Sequence, residues 1–207
     1  MIMAREKPKR KKRVRSIRHV PLSPAYLGVL TTCERLHLLI SGKDPFPTDP
    51  IGIPFCKGSW REQFDDTCSG GIVLQALGFT PATLQARFTT PTECFMHLVG
   101  FGIGFINFSY HFLDGPAREA DEAPYLMDAA EINKPLLAKA ERVLLCGEAA
   151  NMYWYAGTRP YDHIVCHPDR RNAITERDEI RKAWQTTWAP GKLLQLYRVP
   201  VAKILAR

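Results

Sequence analysis

The chain has 207 residues, 45% of them hydrophobic, and a formal net charge of +7 at pH 7. That length suits one well-buried core rather than two. The basic start has no apolar stretch behind it, so no secretory leader is expected. The most apolar run, Cys94 to Phe112, carries His97, Asn107, His111 and three glycines, so no membrane span is expected either.

The first element in chain order is a charge block. Nine Lys or Arg stand between Arg5 and Arg18 against one acid, Glu6, while the other positions hold nineteen bases and twenty acids. Residues 1–18 are therefore expected to be a disordered basic arm that cannot bury its charge, and residues 19–207 a single folded domain. The arm serves solubility or targeting, or it lies along phosphates and gains affinity by counterion release.

Beyond the arm, Arg35–Ser41, Ile103–Ser109, Arg142–Gly147 and Asp162–His167 are short apolar runs ending in Gly or polar residues, the pattern of buried parallel strands. Helical spacing with Pro or Gly punctuation predicts helices over Gly71–Leu77, Pro81–Ala86 and Ala129–Ala140. A capping-box-like Thr175-Glu-Arg-Asp178 opens a last helix through Trp188, stopped by Pro190-Gly191. Strands alternating with helices give an α/β fold: three layers, α/β/α, around a central four-stranded parallel sheet. In such sheets ligands bind beyond the carboxyl ends of the strands.

Those ends carry an acid, an amide and an imidazole. The first strand runs into Gly42-Lys-Asp-Pro-Phe46 and a loop stiffened by Pro45, Pro47, Pro50 and Pro54. The second ends on Asn107, the third on Gly147-Glu148 and the fourth on His167. Singly, each has an ordinary explanation as a turn former or a satisfied hydrogen-bond partner. Together, Asp44, Asn107 and His167 converge on one rim, suited to acid/base or anion-stabilising chemistry. Three other signals are set aside. Gly100-Phe-Gly-Ile-Gly104 precedes a strand instead of linking strand to helix. His163, Cys166 and His167 would fall on opposite faces of a strand, against a metal site. Trp184 and Trp188, one helical turn apart, read as core. The six cysteines never fall as C-x-x-C, which favours free thiols in the cytoplasm over a zinc ribbon or iron–sulfur site.

The rim residues resemble the uracil-DNA glycosylases. Gly42-Lys-Asp-Pro-Phe46 followed by Gly52-Ile-Pro-Phe55 resembles that family's water-activating Gly-Gln-Asp-Pro-Tyr and Gly-Leu-Ala-Phe. Phe105-Ile-Asn107 resembles its Leu-Leu-Asn recognition strand, Val143-Leu-Leu-Cys-Gly147 the strand into its Gly-Ser phosphate loop, and His167-Pro168 the start of its minor-groove loop. The motifs keep the family's order from about Leu38 to Asn172.

The resemblance implies a metal- and cofactor-independent monomer that flips uracil out of DNA, single- or double-stranded, and hydrolyses its glycosidic bond, leaving an abasic site. Asp44 would orient or deprotonate water, and His167 would donate to the uracil anion. Asn107 would read the base edge. Phe55 would stack on the base, and Phe46 would exclude a 5-methyl group. Lys43 would sit beside the base, and Ser69, Gly147, Pro168, Arg170 and Arg171 would contact DNA. The departures are Phe46 for Tyr, Lys43 for Gln, Glu148 for the phosphate-loop Ser, and Asp169-Arg-Arg-Asn172 for Ser-Pro-Leu-Ser, which puts Arg171 where the family wedges a Leu. They leave room for a non-catalytic or product-retaining binder of uracil or abasic DNA, or for a glycosylase acting on another damaged base.

Overall fold

Leu38-Leu-Ile-Ser-Gly42 is apolar on both faces, and such a segment is stable only inside a sheet covered on both sides. The computed structural model describes residues 16–46, 50–114, 119–149, 163–197 and 204, and it puts this segment at the centre. Strand β2 (Leu38–Gly42) lies between β3 (Ile103–Asn107) and β5 (Val143–Cys146), with β6 (His163–Val165) beyond β5. All three pairings are parallel. Every residue of β2, β3 and β5 is buried, so both faces of the sheet are covered and the layers are α/β/α, as expected. Leu38, Leu39 and Ile40 are fully buried, each contributing roughly 1.5–3 kcal/mol relative to exposure.

The strands are shorter than the apolar runs suggest. Leu36 makes only an isolated bridge to Ala140, and the last strand stops at Val165, leaving His167 beyond its end. The two expected helices at 71–77 and 81–86 are α3 (Ser69–Ala76) and α4 (Pro81–Arg87). The helix expected over 129–140 is the second half of α6 (Glu119–Lys139), which runs through Pro124 and Pro135. Helix α8 spans Asp178–Trp188, but the capping box expected at Thr175 does not form: the N-cap is Arg177, without a side-chain cap. Thr175 Oγ1 accepts instead from Arg177 N at 3.3 Å. Trp188 is buried, as expected, and its Nε1 donates to Cys166 O at 2.7 Å.

Several of the described helices were not anticipated. Helix α1 (Pro24–Thr32) protects the sheet's outer edge, where Tyr26 OH accepts from Phe105 N at 2.9 Å. Helix α5 (Pro91–Gly100) opens on a capping box between Thr90 and Glu93, a signature visible in Thr90-Pro-Thr-Glu93. A separate antiparallel ribbon joins β1 (Ile17–His19) to β4 (His111–Leu113), with Arg18 opposite Phe112. Ile17 and Arg18, the end of the expected arm, are thus paired backbone, and residues 1–15 lie outside the described residues. No described helix is long and apolar enough to cross a membrane.

Candidate active site at the carboxyl ends of the strands

Gly42 ends β2 directly beside Asn107, the last residue of β3. A Cβ on Gly42 would stand 2.7 Å from Asn107 Oδ1 and 3.3 Å from Phe55 Cζ. The missing side chain lets an amide and an aromatic ring meet over the strand end. Past that point the two chains stay stapled: Phe108 N donates to Gly42 O at 3.1 Å and Ser109 N to Lys43 O at 2.8 Å. Lys43 and Asp44 are thereby carried out onto the rim.

Asn107 is 4% exposed. Its carbonyl accepts from Asn133 Nδ2 at 2.8 Å, and Asn133 Oδ1 accepts from Tyr110 OH at 2.8 Å. Phe55 has φ 64°, the one non-glycine among the described residues with positive φ. Such a conformation costs about 1–3 kcal/mol and persists only where the surroundings impose it.

These groups enclose a cavity of about 190 Å³, room for a small ring system. Lys43, Asp44, Phe46, Phe55, Ser69, Asn107 and His167 all line it. Seven of the eleven residues singled out from the sequence are therefore brought to one place. Tyr110 and Phe112 add further aromatic wall, and Val20 closes it from the chain just after β1.

The other four residues do not line the cavity. Gly147 has φ 58°, and a Cβ there would approach His167 Cβ to 3.0 Å, so this glycine backs the imidazole. Pro168 is buried. Arg170 and Arg171 open a short helix, α7 (Arg170–Ile174), capped by Asp169, whose carboxylate accepts from Arg171 N at 2.8 Å. Arg171 folds back onto that carboxylate, with Nε 3.0 Å from both oxygens. Arg170 pairs with Asp66, from the loop before α3. Both guanidinium groups are already engaged by acids.

Burial lowers the His167 pKa, and Arg171 adds to the shift while Asp169 and Glu148 oppose it. The imidazole is therefore neutral at neutral pH, a hydrogen-bond donor rather than a cation. Asp169 is held below the usual carboxylate range, chiefly by its hydrogen bond with Arg171.

The two charged departures from the family pattern meet. Lys43 Nζ lies 2.9 Å from Glu148 Oε2. The pair bridges the crevice between β2 and β5, where the sheet order reverses and ligands of parallel sheets bind. Lys57 Nζ stands 4.0 Å from the centroid of the Phe46 ring, a contact worth about 0.5–1 kcal/mol where exposed.

Sequence reasoning missed Asn133, Gln63, Tyr110 and Lys57. Asn133 left a signal, a lone amide in the stripe Ala129, Ala130, Leu136, Leu137 on α6. Gln63 left none.

No protein-family model matches the chain, and no curated protein matches it. Among solved structures, the crystal structure of wild-type UNG from Nitratifractor salsuginis is similar to it with a TM-score of 0.48 and 16% identity, covering 84% of this chain and 78% of that one. A single-substitution mutant of the same protein gives a TM-score of 0.48 and 18% identity, over 84% and 79%.

Proposed function

We propose that the chain removes uracil from DNA by hydrolysis of the bond between N1 of the base and C1′ of the sugar. The observation that carries this reading is the cavity where Asp44, Asn107, Phe55 and His167 meet. Its contents match what the reaction needs. As the bond breaks, the pyrimidine takes the electron pair and the sugar becomes oxocarbenium-like. Asp44 stabilises that positive charge and takes a proton from the water that adds to C1′. Neutral His167 donates an N–H to the uracil oxygen on which negative charge collects. Asn107 offers a donor and an acceptor, which fit the O4 and N3–H of uracil and clash with the reversed pattern of cytosine.

Phe55 stacks on the extruded base. Phe46, with Lys57 over its ring, closes the side where thymine carries a methyl. Because Arg170 and Arg171 are paired to Asp66 and Asp169, they reach phosphate only by exchanging one anion for another.

Single-turnover assays on labelled uracil DNA, single-stranded and duplex, test the reading. Release of uracil by the unaltered chain and its loss in Asp44→Asn are the expected results. Tight binding of uracil or abasic DNA without release would make the chain a binder. Release of a different damaged base would reassign the pocket.

A further inference from the structure

Gln63, the last residue of α2 (Trp60–Gln63), has no exposed surface. A buried primary amide must place its donors and its acceptor, and both of Gln63's short bonds go to the main chain of one loop. Nε2 donates to Phe55 O at 3.0 Å, and Oε1 accepts from Lys57 N at 2.8 Å. The Phe55 carbonyl belongs to the residue with left-handed backbone. The bond is also closely crowded by α3: a Cβ on Gly70 would stand 1.7 Å from the Phe55 carbonyl oxygen and 2.4 Å from Gln63 Nε2, so only glycine lets α3 pass there. Lys57, whose amide is fixed by the other end of Gln63, sends its ammonium over Phe46. One side-chain amide thus holds the residues that set two aromatic walls of the cavity.

We infer that Gln63 is the positioning residue of the base pocket: it holds Phe55 in its strained conformation and, through Lys57, seats Phe46, giving the cavity its fit to a flat pyrimidine. The inference rests on the functional reading only for the identity of the base. An amide is suited to the task because it ties a carbonyl and an N–H two residues apart at once, which neither a carboxylate nor an ammonium does. Glutamate in its place would keep the bond from Lys57 N and set a carboxylate oxygen against the Phe55 carbonyl.

The test has two arms. In the first, the ten phenylalanines are replaced by a fluorinated analogue, and the Phe46 and Phe55 ¹⁹F resonances are assigned with single Phe→Leu variants. Gln63→Glu should shift both, whereas Phe79 and Phe101, away from the cavity, keep their positions. In the second arm, Gln63→Glu should slow single-turnover uracil release at least about tenfold, the scale of a misplaced binding group. In a Phe55→Ala background the same change should add less than about twofold, because a positioning residue has nothing left to position. A merely structural role would multiply through both backgrounds and move all the resonances.

Unmoved Phe46 and Phe55 resonances, or fully multiplicative effects, would overturn the inference. Should Gln63→Glu fail to fold, Gln63→Met, which keeps the length and removes both bonds, is read the same way. Should the unaltered chain release no uracil, the functional reading falls and the fluorine spectra alone decide the inference.

Discussion

The two halves of the rim are built differently. At the ends of β2 and β3, Gly42, Asn107 and Phe55 are buried, cradled by a missing Cβ and braced by Asn133 and Gln63. Beyond β5 and β6, charged side chains take over and acids hold the bases: Glu148 with Lys43 from the end of β2, Asp169 with Arg171, Asp66 with Arg170. The first half has one geometry, enforced by sterics. The second is an electrostatic balance that an incoming polyanion can redistribute. Under the proposed function, recognition of a base and recognition of a backbone would fall to surfaces of opposite stiffness.

Breaking the stiff half should have the largest effect. Asp44→Asn should lower single-turnover uracil release by about 10²–10⁴-fold, the range of a lost general base, with binding to uracil DNA kept in a gel-shift or anisotropy measurement. Gly42→Ala comes next. It forces Asn107 Oδ1 or the Phe55 ring to move from contacts of 2.7 and 3.3 Å, and a displacement of that order costs about 10²-fold. Base range should loosen in parallel, with cytosine DNA as the measured competitor. An undiminished rate would mean that the strand end is not the reacting surface.

Perturbing the soft half should give smaller changes of either sign. Asp66→Asn releases Arg170 from an exposed pair. Such pairs are worth at most about 1 kcal/mol, so DNA affinity should rise by no more than about fivefold, with a steeper salt dependence. Arg170→Ala should erase that gain. Unchanged affinity in both variants would remove this face from DNA binding.

The smallest effect is on stability against pH. Burial lowers the pKa of both His167 and His111, and His19, stacked on His111 at 4.4 Å, lowers the latter further, while Asp128 opposes it. His111 Nδ1 is also buried without a hydrogen-bond partner. Both imidazoles are neutral in the fold, whereas in the unfolded chain they take a proton near pH 6.5. Stability is therefore level above that pH and declines as pH falls through it, because only the unfolded chain gains the protons. Thermal melts between pH 8 and 5.5 should show the decline, and His111→Gln should flatten it.

Much of the stiff half was legible because its physics is local. A run that is apolar on both faces has to be a central strand, and a Gly at its end followed by Asp and prolines is visible in one window. The soft half was not, because its pairings depend on which strands adjoin. Lys43 and Glu148 are 105 positions apart, and Arg170 and Asp66 104. They meet only because β2 lies beside β5 and the turn after β6 reaches the loop before α3. Arg171, aligned with a protruding wedge, is instead folded onto Asp169 two residues earlier. Pro124 lies in the half of α6 that went unexpected, since proline reads locally as a breaker, whereas Pro135 lies inside the expected half. Gln63 was invisible because an amide declares its role only through what it bonds.

The bridge between Lys43 and Glu148 also constrains descent. The Lys43 side chain is 26% exposed, so its ammonium is partly withdrawn from water and loses one charge partner wherever residue 148 is neutral. Neither residue could have been acquired long before the other without an intermediate carrying that loss. The two positions should therefore change together across related chains: an uncharged residue at 43 should accompany an uncharged one at 148. The mixed combinations should be rare, and two substitutions that look independent along the sequence are one inherited unit.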